Sequence, residues 1–230
     1  RVLEVTNFMP PHPGGLERMV ETLVSGLRAR AHQVRWLASA TPEPPGQSGH
    51  LFRIPAWNAL EERFSIPQPI WGPFGFARLV SLCRWAEVIH LHDCLYASST
   101  CALAVARALG RPVVVTQHIG AVPFGRALDR VQTLAYRTLG KTVLEAADRV
   151  VTYSPHVIEF FAKLGVHKRL DLIRLGFEPR FRPPTDSERE RWRDSWQFEP
   201  GAKTMLFAGR LVPKKGVDVV VEVQRRMARE

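Results

Sequence analysis

Short apolar runs that alternate with amphipathic helices constrain the fold of this chain more than any other feature. The run RVLEVTNF (residues 1–8) precedes GGLERMVETLVSGLRARA, whose apolar residues recur at the spacing of one helical face. The later runs HQVRWLAS, EVIHLH, PVVVTQH, DRVVTYS and LDLIRLG are also strand-like, and helical patterns separate most of them. Strands that alternate with helices favour a parallel sheet covered on both faces. We therefore predict a doubly wound, Rossmann-like α/β domain over residues 1–176.

Two stretches interrupt this alternation. Residues 51–75 mix aromatic residues with prolines, and they predict an irregular surface excursion after a loop rich in proline and glycine. Residues 177–202 are dense in proline and charge, which predicts an interdomain linker with room for a short charged helix. The run KTMLFAG then begins a new strand. Residues 203–230 are therefore expected to supply the first strand and the first helix of a second domain.

The composition restricts the environment and the partners of the chain. The formal net charge of +10 predicts an anionic partner, such as a phosphorylated substrate, an anionic membrane surface or nucleic acid. The sequence lacks the aromatic–basic pattern of a known nucleic-acid module, so nucleic acid is not the expected partner. Three cysteines without a C-x-x-C pair fit a reducing compartment, and no apolar run approaches the roughly 18 residues of a membrane span. We therefore expect a cytoplasmic protein.

Histidines cluster where the predicted strands end. In an open parallel sheet, ligands bind beyond the carboxyl ends of the strands. His92 and Asp93 come at the end of one predicted strand, and His118 ends the next. His118 is either a hydrogen-bonded rim residue or a group that donates a hydrogen bond or moves a proton beside a charged substrate. The residues alone favour neither interpretation strongly.

The pair His90 and His92 raises the question of a metal site. Residues i and i+2 of a strand share one face, but the sequence shows no obvious third and fourth ligand. No D-x-D follows a predicted strand, a pattern that would have indicated a metal-bound diphosphate. We therefore predict a site that works without a metal or another cofactor.

Two stretches are suited to phosphate groups. Gly14 and Gly15 directly precede a predicted helix, where free backbone N–H groups favour an anion, and a simple tight turn is the alternative. In FAGRLVPKKG, Arg210 follows a glycine at the end of a predicted strand and Lys215 starts the next helix. Their cationic groups are suited to clamp a diphosphate. The alternative for this pair is two basic residues on an exposed turn.

These stretches resemble the motifs of a known family. The stretches similar to the retaining glycosyltransferases of family 4 (glycosyl transferases group 1) are, in order, RVLEVTNFMPPHPGGLERMVETLVSGLRARAHQVRWLA, AEVIHLHDC, PVVVTQH, AADRVVTYSPHVIEFFAKLGV and LFAGRLVPKKGVD. The resemblance covers the chain except residues 40–80. It implies the N-terminal domain of a GT-B fold plus the start of the C-terminal domain. It also implies hexosyl transfer from a nucleotide-diphosphate sugar to a glycan or lipid-linked acceptor, with retained anomeric configuration.

The resemblance implies a role for each candidate residue. Gly14 and Gly15 would approach the donor phosphate. Arg210 and Lys215 would bind the diphosphate and stabilise the leaving group. His118 would lie beside the transferred sugar as the catalytic residue. The residues expected on the acceptor side are Glu17, Arg18, His92 and Asp93.

Two departures from the family pattern bear on activity. The usual NG after the last strand of the N-terminal domain is Leu175-Gly176 here. Little of the C-terminal domain is present, and its pair of glutamates is missing. We therefore expect a fragment of a longer transferase that is inactive by itself. The alternative is a non-catalytic half-protein or binding module that needs a partner chain to complete the fold.

A basic stripe indicates where such an enzyme would work. Its members Arg126, Arg130, Arg137 and Lys141 fall within about 60° on a helical wheel. On the opposite side lie Leu128, Val131, Ala135 and Leu139. The stripe is either a solvated helix face or a surface that docks on anionic lipid. Because many members of the family act on lipid-linked acceptors, the resemblance implies a peripheral position on the inner face of the cell membrane and a part in cell-envelope polysaccharide biosynthesis.

Overall fold

A seven-stranded parallel sheet lies at the centre of residues 1–176 in the computed structural model. The structure describes residues 1–40, 49–59, 63, 68–123, 125–176, 181–209, 211 and 215–227. In chain order the strands are β1 Val2–Val5, β2 Val34–Ser39, β3 Leu51–Ile54, β4 Ala56–Trp57, β5 Ile70–Trp71, β6 Val88–His92, β7 Val113–Thr116, β8 Arg149–Thr152 and β9 Leu170–Leu172. The sheet order is β3-β2-β1-β6-β7-β8-β9, and β4 and β5 form a separate antiparallel ribbon.

Helices connect the strands of the sheet. They are α1 Gly15–Ala29, α2 Pro73–Trp85, α3 Ala97–Ala108, α4 Arg126–Ala135, α5 Lys141–Ala146 and α6 Pro155–Lys163, and the π-helical turn Tyr136–Gly140 joins α4 to α5. Across the described ranges, no helix combines the length and the apolar composition that a membrane crossing needs. The predicted doubly wound α/β fold is confirmed.

Alternation along the strands divides the core into two clusters on opposite faces of the sheet. In β2, Leu37 belongs to a large cluster that includes Leu79 of α2 and Phe161 of α6. Its neighbour Trp36 instead packs with Val20 of α1. Successive side chains of a strand point to opposite faces, so helices cover the sheet on both sides. Burying a leucine or phenylalanine completely contributes roughly 1.5–3 kcal/mol relative to exposure.

One edge of the sheet differs from the expectation for residues 51–75. Strand β3 pairs in parallel with β2, with Leu51 opposite Trp36, so this stretch is not wholly an excursion. A strand of four residues that ends before Pro55 is too short for a clear alternation in the sequence. Helix α2 packs closely against this strand. A Cβ added at Gly75 would lie only 2.4 Å from a methyl carbon of Ile54, so no side chain fits at this position.

Residues 177–230 form a second unit. It contains the helices α7 Asp186–Ser195 and α8 Val217–Met227. Helix α7 is the expected charged helix, and a capping box starts it: Thr185 and Glu188 each accept a backbone N–H of the other. The strand predicted in KTMLFAG was wrong, since the described residues 203–209 belong to no strand. A strand needs neighbours to pair its N–H and C=O groups, and the described part of this unit contains no other strand.

Candidate functional site

Four neighbouring strands each bring one polar side chain to the carboxyl edge of the sheet. Glu4 lies in β1 and His92 ends β6. His118 follows β7, and Tyr153 follows β8. The strand order reverses at β1, because β2 flanks it on one side and β6 on the other. In open α/β sheets, the crevice beyond such a reversal is where ligands bind.

A continuous chain of hydrogen bonds links these four side chains, and we call it the relay. The hydroxyl oxygen of Tyr153 lies 2.7 Å from His118 Nδ1. His118 Nε2 lies 3.0 Å from His92 Nδ1, and His92 Nε2 lies 2.9 Å from Glu4 Oε2. Glu4 and His92 are completely buried, whereas Tyr153 is partly exposed. The relay therefore runs from the protein surface into the interior.

The carboxylate of Glu4 sets the direction of the relay. Burial by itself raises the pKa of Glu4, but the imidazoles of His90 and His92 more than offset this and lower the pKa to about 2. An ionised carboxylate can only accept hydrogen bonds, so His92 donates from Nε2 and accepts at Nδ1. It follows that His118 donates from Nε2 and accepts the hydroxyl proton of Tyr153 at Nδ1.

The two histidines of the relay are neutral at pH 7. Burial, together with the neighbouring imidazole of His90, lowers the pKa of His92 to about 4, although Glu4 favours the charged form. Burial, together with the neighbouring imidazoles of His92 and His90, lowers the pKa of His118 to about 2. A neutral imidazole has one donor nitrogen and one acceptor nitrogen. It can therefore accept a hydrogen bond from one neighbour in the relay and donate one to the next.

His90 makes a second hydrogen bond to the same oxygen of Glu4. Its Nδ1 lies 2.9 Å from Glu4 Oε2, and its Nε2 lies 2.7 Å from Thr116 Oγ1. Glu4, His90 and His92 thus offer three ligand atoms within 4.8 Å of one another, a group that could hold a metal ion. Glu4 is the third ligand that the sequence did not reveal. The nitrogen–oxygen contacts of 2.9 Å are hydrogen-bond distances, shorter than the roughly 3.3 Å between ligands of a tetrahedral zinc.

Asp93 holds the loop that carries His118. Its Oδ1 accepts the backbone N–H of His118 at 3.0 Å and the side-chain N–H of Gln117 at 2.8 Å. Burial raises the pKa of Asp93 to about 7, although the backbone N–H groups of His118 and Ile119 favour the ionised form. The backbone φ of Asp93 is 65°, an uncommon value for a residue other than glycine. The turn after β6 is thus shaped to place this carboxyl group.

An open groove of about 460 Å³ adjoins the outer end of the relay. One wall is the loop after β7, from His118 to Val122, and the other is the start of α6 with Ser154, Val157 and Phe160. This volume lies in the range of small-molecule sites. A ligand in the groove would contact His118 directly.

The first turn of α1 holds a carboxylate of its own. Glu17 Oε1 lies 2.9 Å from His12 Nδ1. A Cβ added at Gly14 would lie 1.9 Å from Glu17 Oε2, whereas one added at Gly15 would meet nothing within 4 Å. A negative charge is favourable at a helix N-terminus, and Glu17 supplies it here. Gly14 therefore leaves the room that this carboxylate occupies.

One family profile covers most of the chain. The profile of Glycosyltransferase Family 4 matches residues 13–181, which include His92, His118 and Tyr153. The chain belongs to Glycosyltransferase Family 4. The resemblance carried by the sequence motifs is confirmed.

Two known proteins are similar to this Family 4 chain. It is 28% identical over 236 residues to the GDP-mannose:cellobiosyl-diphosphopolyprenol alpha-mannosyltransferase of Xanthomonas campestris, a match over 97% of this chain and 55% of that protein. The chain thus spans about half the length of this relative. The structure is similar to sucrose-phosphate synthase from Thermosynechococcus elongatus, with a TM-score of 0.68 and 18% identity over 98% of this chain and 59% of that chain. This likeness concerns the fold and agrees with the predicted GT-B type.

The structure brings together three of the residues that the family resemblance singled out. His118, His92 and Asp93 lie side by side at the carboxyl edge of the sheet. Both ring nitrogens of His118 are engaged within the protein. His92 and Asp93 are buried, so any effect they have on a ligand passes through His118. The roles of these Family 4 residues toward a sugar stay predictions.

Three further residues of this Family 4 chain were predicted for the site, namely Arg18, Lys215 and Arg210. Arg18 is exposed and pairs with Glu21 at 2.9 Å. Lys215 is exposed in the second unit, just before α8. Arg210 lies outside the described residues. Their roles toward the donor and acceptor stay predictions.

Sequence reasoning missed two members of the relay, Glu4 and Tyr153. The signal for Tyr153 was present, because it follows directly on a predicted strand and the same strand-end rule selected His118. The signal for Glu4 was an acidic residue between Leu3 and Val5 in an otherwise apolar strand. A buried carboxylate needs partners, and such a residue indicates a polar network inside the sheet.

Proposed function

We propose that this chain is the acceptor-side part of a retaining hexosyltransferase. In that reaction, the bond between the anomeric carbon of the sugar and a nucleotide diphosphate breaks. A bond to a hydroxyl oxygen of the acceptor forms, and the configuration is retained. The observation that carries the proposal is the groove that opens at His118 beyond the carboxyl edge of the sheet, in a chain of Glycosyltransferase Family 4.

The classes of donor and acceptor are proposed from the Xanthomonas relative. Its name specifies a nucleotide-diphosphate sugar and a diphosphopolyprenol-linked glycan, and we expect the same classes here. The departing diphosphate is an anion, so we assign its binding to Arg210 and Lys215, with Gly14 and Gly15 near the phosphate. These cationic groups would neutralise the leaving group without a metal or another cofactor.

The electrostatic state of His118 suits a position beside the transferred sugar. Glycosyl transfer develops positive charge on the sugar ring, as in the oxocarbenium-like transition states of glycoside hydrolysis. A protonated imidazole would oppose that charge. Burial and the neighbouring histidines lower the pKa of His118 to about 2, so the ring remains neutral and does not repel the sugar.

We infer that sugar transfer needs a chain of the relative's full length. The relative is matched over 55% of its length. The 230-residue chain alone is therefore expected to be inactive, and the donor site is expected to depend on residues beyond those of this chain.

We further propose that the enzyme works on the cytoplasmic face of the membrane. Helix α4 supports this position, because Leu128, Val131 and Leu134 are 49%, 65% and 62% exposed. The basic residues Arg126 and Arg130 lie exposed on the same helix, and Arg137 is exposed in the turn that follows it. Exposed apolar side chains beside a basic stripe are typical of helices that lie in the surface of an anionic membrane.

A transfer assay tests the proposed activity. A chain of the relative's full length would be incubated with a panel of nucleotide sugars, including GDP-mannose, and polyprenyl-diphosphate cellobiose. We expect one hexose to be added to the lipid-linked disaccharide, with the anomeric configuration of the donor. A folded protein that transfers no hexose from any donor of the panel would contradict the proposal.

A second candidate function is a non-catalytic binding module completed by a partner chain. Val219 and Val223 of α8 lie four residues apart on one face of the helix and are exposed, and an exposed apolar pair of this kind favours a partner. Light scattering separates the two functions. A purified chain that is entirely monomeric at all concentrations would count against the binding module.

A further inference from the structure

A second groove, of about 390 Å³, lies at the opposite end of the sheet from the candidate functional site, and we call it the basic groove. It opens where α1 ends and β2 begins, because Ala31 and Val34 belong to its lining, and Gly49 lines it shortly before β3. These are the amino ends of the strands. Strand β2 has six residues, which span roughly 20 Å. A ligand in the basic groove would therefore be separate from one bound beside His118.

The polar side chains of the basic groove are mainly cations and hydrogen-bond donors. They belong to Arg28, His32, Gln33, Arg35, His50 and Trp85. No acidic residue is among the described residues that line the groove. Guanidinium and indole N–H groups donate hydrogen bonds and accept none. Two guanidinium groups without a carboxylate give the groove a positive potential, which attracts an anion.

The protein does not neutralise the two arginines of the basic groove. Arg18, on the same helix as Arg28, pairs with Glu21 at 2.9 Å. Across the described ranges, neither Arg28 nor Arg35 has such a carboxylate partner. The charge of Arg28 also acts on His50, because burial and this guanidinium together lower the pKa of that imidazole. The positive charge in the groove is thus left for a ligand to balance.

Trp85 holds one of the cations in place and adds a donor of its own. The guanidinium carbon of Arg35 lies 4.0 Å from the centre of the Trp85 ring and 5.4 Å from that of Phe52. Stacking of this kind fixes a guanidinium before a ligand arrives, which lowers the ordering cost of binding. The indole N–H groups of Trp36 and Trp71 donate to hydroxyl groups of the protein. That of Trp85 has no acceptor among the described residues, so it can donate to a ligand.

Each arginine of the basic groove also has a structural reason for its position. Arg28 lies in the last turn of α1, where a positive charge is favourable, and Arg35 packs on Trp85. The last carbonyl oxygens of α1, those of Leu27 and Arg28, already accept backbone N–H groups of residues 30–32. They therefore do not neutralise the guanidinium groups. These reasons explain where the arginines lie but not why their lining contains no carboxylate.

We propose that the basic groove binds a phosphate group, with Arg28 and Arg35 as its cationic partners and the indole N–H of Trp85 as a further donor. The forked guanidinium group matches the oxygens of a phosphate. The volume of the groove lies in the range of small-molecule sites. A soluble phosphate ester and the headgroup of a phospholipid can both supply such a group. The assignment does not rest on the proposed function, because the groove lies away from the candidate functional site.

Titration with inorganic phosphate, followed by NMR of the tryptophan indole groups, tests the site. The chain contains six tryptophans, and Trp85→Phe identifies the signal of Trp85. We expect phosphate to move that signal toward a limit, whereas sodium chloride at the same ionic strength should move it little. Arg28→Gln should weaken phosphate binding about tenfold, typical of the loss of a charge-assisted hydrogen bond.

Arg30→Gln is the matched control for the phosphate titration. It removes the same charge two residues from Arg28, but Arg30 does not line the groove, so the affinity should change by less than about twofold in salt that screens distant charges. Arg35→Lys keeps the charge and loses the planar fork, so it should also weaken binding. Because Arg28 is exposed, Arg28→Gln should fold normally, and it tests the site even where Arg35→Lys does not fold.

Three results of the titration would overturn the proposal. They are a Trp85 signal that phosphate does not move, an affinity of Arg28→Gln equal to that of the wild type, and an equal loss in Arg28→Gln and Arg30→Gln. The last result would mean that net charge alone attracts phosphate. Because the titration needs no donor or turnover, a failed transfer assay would not imitate these results.

Sedimentation with vesicles rich in phosphatidylglycerol distinguishes the two sources of phosphate. For a soluble ester, Arg28→Gln should sediment with the vesicles as Arg30→Gln does, although its affinity for inorganic phosphate is lower. A selective loss of Arg28→Gln in both assays would support the site and identify the phosphate as that of a lipid headgroup.

Discussion

His92 donates a hydrogen bond from Nε2 to Glu4 Oε2 across 2.9 Å, although 88 positions separate the two residues in the chain. The register of β1 and β6 makes this contact possible. Glu4 pairs directly with His90, and His92 lies two residues further on the same face of the sheet. A charge is thus held completely inside the sheet at the point where the strand order reverses. Such a charge is stable only while its hydrogen-bonding partners stay in place.

The first prediction concerns acid stability. The ordinary pKa of histidine is 6.5, and the folded chain lowers it to about 4 at His92 and about 2 at His118. Below pH 6.5 the two histidines therefore bind protons in the unfolded chain that they do not bind in the folded chain. The stability contributed by the two imidazoles is complete above pH 6.5 and falls as the pH drops toward 4, by about 1.4 kcal/mol per pH unit for each imidazole at most. Asp93, whose pKa is raised to about 7, contributes in the opposite direction between pH 7 and 4. Glu4, with its lowered pKa, adds a loss of the same sign as the imidazoles below pH 4.5.

Urea unfolding at a series of pH values measures this dependence. His118→Gln should make the slope between pH 6 and 4 less steep by the share of one imidazole, about 1.4 kcal/mol per pH unit at most. His32→Gln removes an exposed histidine and should leave the slope as it is. Equal slopes in His118→Gln and the wild type would show that His118 is not held neutral by the fold.

The second prediction concerns metal ions at Glu4, His90 and His92. Their contacts of 2.9 Å are hydrogen bonds, so we expect zinc to leave the unfolding temperature unchanged. A site with zinc at a hundred times its dissociation constant would add about 2.7 kcal/mol to the free energy of unfolding. Glu4 Oε1 is buried without a hydrogen-bond partner, so this oxygen is the atom to which a metal ion could bind without breaking a hydrogen bond.

Two further results belong to the metal prediction. Chelators should leave sugar transfer by the full-length protein unaffected, as the proposed metal-independent reaction requires. A zinc-dependent rise of the unfolding temperature that disappears in His90→Gln would instead establish a metal site in the sheet.

The third prediction contrasts two adjacent glycines. In Gly14→Ala the new Cβ would collide with Glu17 Oε2, which lies 1.9 Å away, and the carboxylate would have to leave His12. We expect a loss of about 1.5–3 kcal/mol in the free energy of unfolding, typical of a hydrogen bond to a charged group. Gly15→Ala, in open space at the start of α1, should be neutral or stabilising by up to about 1 kcal/mol.

A double-mutant cycle checks the cause of the glycine effect. In Glu17→Ala the carboxylate is gone, so Gly14→Ala should then cost little. If Gly14→Ala destabilised the Glu17→Ala variant as much as the wild type, the carboxylate would not be the group that requires glycine at this position.

The sequence predicted those parts of the fold that depend on residues close to one another in the chain. Each strand and the helix after it are neighbours in the chain, so alternation predicted the sheet, and the strand-end rule selected His92 and His118. The contact between Glu4 and His92 depends on which strands become neighbours, and periodicity does not specify strand order. Strand β3 was missed because four residues show too little alternation. The stretch 203–209 has a strand-like sequence, but among the described residues of its unit it has no strand to pair with.

The last prediction concerns the proposed membrane contact of α4. Val131 and Leu134 are exposed, so Val131→Ser with Leu134→Ser should leave the fold intact while removing apolar area from a lipid contact. We expect this double variant to bind vesicles rich in phosphatidylglycerol about tenfold more weakly than the wild type, since burying each of these side chains contributes roughly 1.5–3 kcal/mol when complete and about half of that when partial. Arg130→Gln should weaken binding about fivefold, because each basic residue near an anionic surface contributes about 1 kcal/mol.

Sedimentation with vesicles separates the apolar and the electrostatic contributions. High salt should abolish the effect of Arg130→Gln but not that of the double variant, since salt screens charge and leaves apolar burial unchanged. Lys163→Gln, at the exposed end of α6, is the matched charge control and should bind as the wild type does. Equal losses in Lys163→Gln and Arg130→Gln would mean that the net charge of +10, rather than α4, attracts the chain to the membrane.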